Sequence, residues 1–146
     1  AGLLALVLAA SLTACSGQVE DTRPGQPVKT RQVAFKEILR SFEPMGVMLR
    51  ENRYDADKFA AMAATLMSKR DAPWSHFGPD TNYPPTKATP KVWSEPENFE
   101  KARLAFFSAT DKFKAAVDSK DKAAIECTYK AVYDACQSCH KPFKER

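Results

Sequence analysis

The sequence of 146 residues lacks the features that identify several common classes of protein. It has no internal repeat and no low-complexity tract. Its net charge of +4 is not gathered into the lysine and arginine clusters that mark a nucleic-acid surface, so we expect no nucleic-acid partner. No apolar run reaches the roughly twenty residues that a membrane-spanning helix requires. A chain of this length and ordinary composition predicts a single globular domain.

Cysteine and histidine are also scarce, with four and two residues. Three of these six lie in one short motif, Cys136-Gln137-Ser138-Cys139-His140. The pattern C-x-x-C-H is typical of a c-type haem attachment site. Positions three apart share one face of a helix, so two thiols there can form thioethers with the two vinyl groups of one porphyrin. His140 is then placed to ligate the iron, and the motif predicts one covalent haem c.

Two other interpretations of the cysteine pair stay open. A zinc site would need two further ligands, and only Cys127 and His76 remain, neither with the spacing of a zinc site. A thioredoxin-like redox pair would need a βαβ context, which this sequence does not show. The haem interpretation is favoured over both, and no disulfide framework is expected.

Four segments have the three-and-four spacing of apolar residues that predicts amphipathic helices. They cover 30–50, 56–69, 96–118 and a last segment that starts after Ser119 and ends near Pro142. Thr30 is the expected N-cap of the first helix, in which Pro44 predicts a kink or a break. Cys136 and Cys139 continue the apolar stripe of the last helix. The pattern predicts an all-α, antiparallel four-helix bundle with covalently attached haem c near the C-terminal end of the chain.

Two polar residues outside the motif are candidate haem contacts. Arg31 lies on the core face of the first helix, four residues before Phe35. A side chain that reaches out to solvent is one interpretation of Arg31, and an ion pair with a haem propionate is the favoured one. The loop over 72–96 is unusually long, which favours a function. It contains His76, a conceivable second iron ligand, although a lone histidine in a loop is more often solvated.

The first residues indicate export. Residues 1–14 contain no charged residue, are nearly all apolar, and have the character of the hydrophobic region of a secretory signal, whose basic start we expect to precede residue 1. The run ends in Leu12-Thr13-Ala14-Cys15, which resembles the box in which a bacterial lipoprotein is cleaved and its cysteine lipidated; a signal peptide with an incidental cysteine is the alternative. Ser16 is compatible with sorting to the outer membrane of a Gram-negative bacterium. We expect a periplasmic protein with a lipid on Cys15 as its only membrane contact, and a flexible tether over 15–29.

Several motifs together resemble the cytochrome c′ family of class II c-type cytochromes. They are Arg31-Gln32, the P-W-x-x-F-G pattern of 73–78, the V-W-S triplet of 92–94 and the C-x-x-C-H motif of 136–140. The resemblance covers about residues 30–146. It implies that Arg31 and Gln32 contact the haem propionates, that Phe35 covers the distal face of the haem, and that Thr86 and Lys87 lie at the haem edge. Lys144 stands where the family often has arginine, and the two residues are not equivalent hydrogen-bond donors.

The resemblance also implies a function. A cytochrome c′ usually has five-coordinate iron, binds NO and CO in an apolar pocket, and is linked to protection against nitrosative stress. It is not an enzyme, and a homodimer and an unidentified redox partner are expected. The alternative is a periplasmic electron carrier with six-coordinate, low-spin haem, for which Met45, Met48 and Met62 are candidate ligands.

Overall fold

The structure is a computed structural model that describes residue 17 and residues 19–146. The predicted signal segment and Cys15 lie outside the described residues. The regular elements within them are five α-helices and one short 3₁₀ turn, and no β-strand is present in this part of the chain. The helices are α1 (Pro27–Arg50), α2 (Ala56–Lys69), α3 (Lys91–Ser94), α4 (Pro96–Ser119) and α5 (Lys122–Phe143), and the 3₁₀ turn is Trp74–His76.

The four long helices form the predicted antiparallel bundle. Helix α1 packs on α2, α2 on α4, and α4 on α5. Where α1 ends and α5 begins, the Lys122 ammonium donates a hydrogen bond of 2.6 Å to the side-chain oxygen of Asn52. The predicted fold class is therefore confirmed. None of the described helices combines the length and the apolar character that crossing a bilayer would demand.

The core is built from the apolar stripes that the periodicity predicts. Phe59, Ala63 and Leu66 of α2 are completely buried, and the other long helices also contribute fully buried apolar side chains, among them Val28, Phe113 and Ile125. Leu39 fits the apolar spacing that predicts the core stripe of the first helix, and yet 53% of its surface is exposed. Ile38 and Phe42, on either side of it in the sequence, are the residues of this part of α1 that belong to the hydrophobic core.

Helix α1 starts earlier than predicted, at Pro27 rather than near Thr30. The buried carboxylate of Asp21 accepts hydrogen bonds from the backbone amides of Val28 (2.9 Å) and Lys29 (3.2 Å), which are among the first helical amides without a partner inside the helix. Burial opposes the charge of Asp21, but its bonds to Tyr83 and to these amides outweigh burial and hold its pKa below the ordinary value. The later half of the predicted tether thus belongs to the ordered domain.

The two prolines inside helices behave differently. Pro44 lies within α1, which continues through it to Arg50, so the predicted break does not occur. Its position in the last third of the helix removes one backbone hydrogen bond while the packing of the flanking core residues Phe42 and Met45 maintains the helix. Pro142 is the second-last residue of α5, as its predicted role as the end of the helix requires.

Helices α1 and α5 touch where Tyr129 lies against Gly46. The Tyr129 ring stacks on Phe42 with 4.1 Å between centroids, and its hydroxyl donates a hydrogen bond of 3.2 Å to the Phe42 carbonyl. Burial raises the pKa of Tyr129 to about 12. A Cβ added at Gly46 would overlap the hydroxyl oxygen and come within 2.7 Å of Cζ. Only glycine therefore allows this contact.

Replacing Gly46 by alanine should lower the stability of the protein. Overpacking a rigid aromatic contact costs about 1–3 kcal/mol, while the better helix propensity of alanine returns about 1 kcal/mol. We expect a net loss of up to about 2 kcal/mol, measured as the free energy of unfolding in urea. Adding Tyr129→Phe to this variant removes the overlapping oxygen and should restore part of the loss. An unchanged or higher stability of Gly46→Ala alone would contradict the contact.

Candidate functional site

The predicted site residues lie at one level of the neighbouring antiparallel helices α1 and α5. The contact between Phe42 and Tyr129 sets their register. Phe35 precedes Phe42 by seven residues along α1, and Cys136 follows Tyr129 by seven residues along α5. Because the two helices are antiparallel, both residues lie about 10 Å from the contact on the same side of it. Eleven residues from the same contact are Arg31 and His140. The fold therefore brings the predicted distal, propionate and attachment residues to one end of the bundle.

The backbones of α1 and α5 stay farther apart than those of the pairs α1 and α2, α2 and α4, and α4 and α5. The side chain of Tyr129, which lies against Phe42 and Gly46, bridges the space between α1 and α5. The contact of Phe42 and Tyr129 closes this space on the side facing the middle of the bundle. A flat group inserted from the end of the bundle would meet Phe35 on one helix and Cys136 on the other.

Cys136 and Cys139 are half-buried free thiols on α5. Burial raises the pKa of each to about 11, so both are neutral near pH 7. A reactive redox pair needs the opposite shift, towards the thiolate. The pKa of the His140 imidazole is lowered by partial desolvation and by the charge of Lys144, which favours the neutral form that binds a metal. The raised pKa values of the two thiols oppose the redox interpretation of the motif.

The zinc interpretation finds no further ligands. Within the described ranges, no group of three or more histidine, cysteine, aspartate or glutamate side chains comes together where a metal ion could bind. Cys127 is exposed on the surface of α5. The backbone carbonyl of His76, rather than its ring, makes a contact with the site, by accepting a hydrogen bond from Arg31.

Arg31 is almost fully buried, with 3% of its surface exposed. Its guanidinium donates four hydrogen bonds of 2.7–3.0 Å, to the carbonyls of His76 and Thr81 and to the hydroxyls of Thr81 and Thr86. Burial lowers its pKa, and it forms no ion pair with a carboxylate in the part of the chain that the structure describes. A buried cation without a counterion is costly. Its surroundings thus favour a bound anion nearby.

An aromatic wall surrounds Phe35. Trp74 approaches the Phe35 ring edge-on at 5.4 Å between centroids, and Phe77 does so at 6.2 Å. The Trp74 indole donates a hydrogen bond of 2.6 Å to the carbonyl of Arg70, which fixes the ring at the end of α2. The long loop that the sequence indicated as functional therefore supplies the aromatic side chains that pack against Phe35.

The remaining predicted contacts lie in the same loop. The Thr86 hydroxyl accepts from Arg31, and the Gln32 amide donates to the carbonyl of Pro85 at 3.0 Å. The side chain of Lys87 is exposed, and its backbone carbonyl accepts a bond of 2.7 Å from the amide of Glu145. Gln32, Arg31 and Thr86 are thus brought together, whereas Lys87 contributes through its backbone.

Met45 and Met48 do not lie at this end of the bundle. They follow Phe42 along α1 and so lie beyond the contact with Tyr129, on the side away from His140. Both are buried in the hydrophobic core. Met62 is partly buried and packs against the same core from α2. The alternative iron ligands on α1 are therefore separated from the attachment motif.

Comparison with known proteins identifies the family. The family model for cytochrome c′ matches residues 26–144. The chain belongs to the cytochrome c′ family. The cytochrome c′ of Rubrivivax gelatinosus is 33% identical over 126 residues, which make up 85% of this chain and 98% of that protein. Its crystal structure has a TM-score of 0.80 at 33% identity and covers 86% of this chain and 100% of that chain.

Two cytochrome c′ structures from Alcaligenes xylosoxidans are also similar to the chain. One is the nitric oxide complex of a leucine-to-alanine variant, with a TM-score of 0.80, 28% identity and coverage of 87% of this chain and 99% of that chain. The other is a ferrous arginine-to-lysine variant with bound NO, with a TM-score of 0.80, 29% identity and the same coverage. Membership of the cytochrome c′ family implies a c-type haem with iron.

The residues of this chain fit that cofactor. Neutral thiols at Cys136 and Cys139 have the spacing for two thioether bonds, and His140 follows directly. Arg31 is a buried cation at the same end of the bundle and has no carboxylate partner among the described residues, so the charge of a haem propionate would neutralise it. Haem iron bound by one histidine can accept a further ligand on its other face.

Four residues of the site were not predicted from the sequence. Asp21 and Tyr83 join the start of α1 to the loop through a hydrogen bond of 2.8 Å, Thr81 accepts two bonds from Arg31, and Thr89 contacts the end of α5. Each acts across a separation of 50 residues or more. No local spacing in the sequence identifies such residues. The only general signal for them is that a polar residue in a long functional loop is a candidate for the site.

Proposed function

We propose that this cytochrome c′ carries one covalent haem c with His140 as the only protein ligand of the iron, and that it binds NO and CO on the face covered by Phe35. The observation that carries the proposal is the position of Phe35 on α1, which lies at the same height in the bundle as Cys136 on α5. Phe35 also packs against the aromatic rings of Trp74 and Phe77. A phenyl ring cannot bind iron. The relatives solved with bound NO support gas binding in this chain.

The surroundings of Phe35 also favour NO and CO over O₂. Bound O₂ is polar and gains from a hydrogen-bond donor, which an aromatic wall does not offer. Arg31 is a buried donor beside this wall, with its guanidinium carbon 4.6 Å from the centroid of the Phe77 ring, and its four terminal N–H groups are engaged by the loop. Because those groups are already bonded, they do not serve peroxide chemistry, and we propose a gas-binding protein that handles NO under nitrosative stress, rather than an enzyme.

Electron transfer through six-coordinate haem is the second candidate function. It needs another axial ligand, and the methionines of α1 lie beyond the Phe42 and Tyr129 contact. His76 lies nearer to the site, since its carbonyl contacts Arg31. Both functions require the c-type haem that membership of the family implies. The coordination number of the iron distinguishes gas binding from electron transfer.

The absorption spectrum of the ferrous holoprotein tests the proposed function. We expect the spectrum of a high-spin, five-coordinate haem. Addition of CO or NO should change this spectrum, whereas addition of O₂ should not give the spectrum of an O₂ complex. His76→Ala is the matched control, and it should leave this spectrum unchanged. A low-spin spectrum in the wild type that becomes high-spin in His76→Ala would establish His76 as a ligand and favour electron transfer. A low-spin spectrum in both would assign the ligand to a methionine.

We also propose export and lipidation at Cys15, on the strength of the apolar run that ends in Leu-Thr-Ala-Cys. Stable anchoring needs more than one acyl chain. Replacing Cys15 by serine should move the protein from the membrane fraction of a Gram-negative host to the soluble periplasmic fraction. Cys127→Ser is the control and should stay in the membrane fraction. An unchanged distribution of Cys15→Ser would reject the anchor.

A second copy of the chain is the proposed protein partner. Val33 and Leu39 on α1 are large apolar side chains with about half of their surfaces exposed, at 47% and 53%. Light scattering should give the mass of a dimer, and Leu39→Glu should reduce it to that of a monomer because it places a charge in the interface. The free thiol of Cys127 is exposed on α5, so Cys127→Ala should leave the dimer intact unless a disulfide links the subunits. A monomeric wild type would reject this partner.

A further inference from the structure

The last turn of α5 is intrinsically weak, although it carries the axial histidine. The helix ends at Phe143, so the carbonyls of its last four residues have no partner within the helix. Pro142 has no N–H group and cannot bond to the carbonyl one turn earlier. Only the His140 carbonyl gains a local partner, the amide of Lys144 at 3.0 Å. The turn therefore depends on bonds from elsewhere in the chain.

Thr89 in the long loop supplies those bonds. Its hydroxyl donates to the carbonyl of Pro142 at 2.7 Å, and its backbone amide donates to the carbonyl of Phe143 at 2.9 Å. One residue thus binds two of the four free carbonyls. A further bond of 2.7 Å, from the Glu145 amide to the Lys87 carbonyl, holds the chain just after the helix against the same loop.

The loop is in turn fixed to α1. The Thr86 hydroxyl accepts from the amide of Ala88 at 3.0 Å and from the guanidinium of Arg31 at 2.7 Å. Hydrogen bonds therefore connect Arg31, the loop over 86–89 and the carbonyls of Pro142 and Phe143. The helix that carries Phe35 and the turn that carries His140 are held by the same short segment.

We propose that Thr89 is a positioning residue for the iron ligand. By bonding the carbonyls of Pro142 and Phe143, it fixes the last turn of α5 and with it the position of the His140 imidazole relative to the haem plane. This rests on the proposed function in one respect, that His140 binds the iron. A histidine on an unsupported last turn would change its tilt and its distance from the iron.

The test compares Thr89→Val with wild-type ferric holoprotein. Valine keeps the β-branched shape and the backbone amide and removes only the hydroxyl. The readouts are the hyperfine-shifted ring-proton resonances of His140 and the exchange rate of the Lys144 amide, both by NMR. Thr89→Ser restores the hydroxyl. Thr128→Val is the matched control, because it removes a hydroxyl bond of 2.6 Å within the same helix, about three turns before His140.

We expect the His140 resonances to shift in Thr89→Val and the Lys144 amide to exchange about fivefold faster, as the loss of one typical hydrogen bond predicts. Thr89→Ser should restore both, and Thr128→Val should change neither. Thr89→Ala repeats the test should the valine variant not fold. Faster exchange with unshifted His140 resonances would reduce Thr89 to a structural cap and overturn the proposal, as would an unchanged exchange rate.

The outcome for Thr89 is separate from that for the proposed function. If the wild-type iron is six-coordinate with His140 as one ligand, five-coordinate gas binding fails, while the comparison of the His140 resonances still decides the role of Thr89. If the wild type is five-coordinate and Thr89→Val leaves the resonances in place, only the positioning role fails. Ferric wild type without any iron-bound His140 would overturn both.

Discussion

A chain in which Cys136 and Cys139 are both replaced by alanine should lose its haem completely in acidified acetone. The wild-type protein should retain the mass of one haem in the same extraction, because thioether bonds survive acid while bonds to iron do not. His140 is kept in the variant, so haem could still bind without covalent attachment, and the extraction then measures the thioethers alone. Mass spectrometry of the extracted chain gives the result directly.

Cys127→Ala is the matched control for this experiment. Its thiol is exposed on α5, and the variant should retain one haem as the wild type does. Each single variant, Cys136→Ala or Cys139→Ala, should keep any attached haem through the other cysteine. Retention of haem by the double variant, or its loss from the wild type, would contradict attachment at this motif.

Replacing Phe35 by alanine should have the second largest effect, on the binding of CO. In the proposed arrangement the ring covers the face of the haem opposite His140, so a ligand would have to displace it to reach the iron. Removing it should speed CO binding to the ferrous protein about tenfold or more, which corresponds to a barrier lower by about 1.4 kcal/mol. Stopped-flow or flash photolysis measures the rate.

The same change should cost stability, and a control separates the two effects. A buried Phe→Ala substitution costs about 3–5 kcal/mol, and we expect a value near the lower end because Phe35 is only partly buried. Phe59→Leu alters a fully buried ring on α2 and should lower stability without changing the CO rate. Equal CO rates for Phe35→Ala and the wild type would mean that Phe35 does not cover the iron.

The fold could be predicted from the sequence because its helices are regular. Apolar residues at spacings of three and four mark the buried faces of α2 and α4, and Phe59, Leu66 and Phe113 are buried as that spacing requires. Leu39 fits the same spacing and is nevertheless exposed, because the spacing of apolar residues shows which side of a helix faces the core and not how wide the buried stripe is. The start of α1 was missed because the carboxylate of Asp21 caps it from outside the helix, seven residues before Val28.

The site could be predicted only in part. The attachment motif and Arg31 are visible because their residue types are unexpected where they occur, thiols and a cation on apolar faces of helices. The partners of Arg31 and of the end of α5 come from a loop without periodic structure. Which loop threonine meets which helix depends on the tertiary fold, so Thr81 and Thr89 could not be derived from spacing.

The buried carboxylate of Asp21 bears on how the bundle would be oriented relative to a membrane. If Cys15 carries the lipid, Asp21 follows the anchor by only six positions in the sequence, and at most about 3.5 Å per residue allows a reach of about 20 Å. Asp21 is bonded to Tyr83 in the loop beside Arg31, so the haem-binding end of the bundle would face the bilayer. The turn between α1 and α2 would point away into the periplasm. Gas dissolved in the lipid would then meet the haem first, while soluble proteins would meet the opposite end.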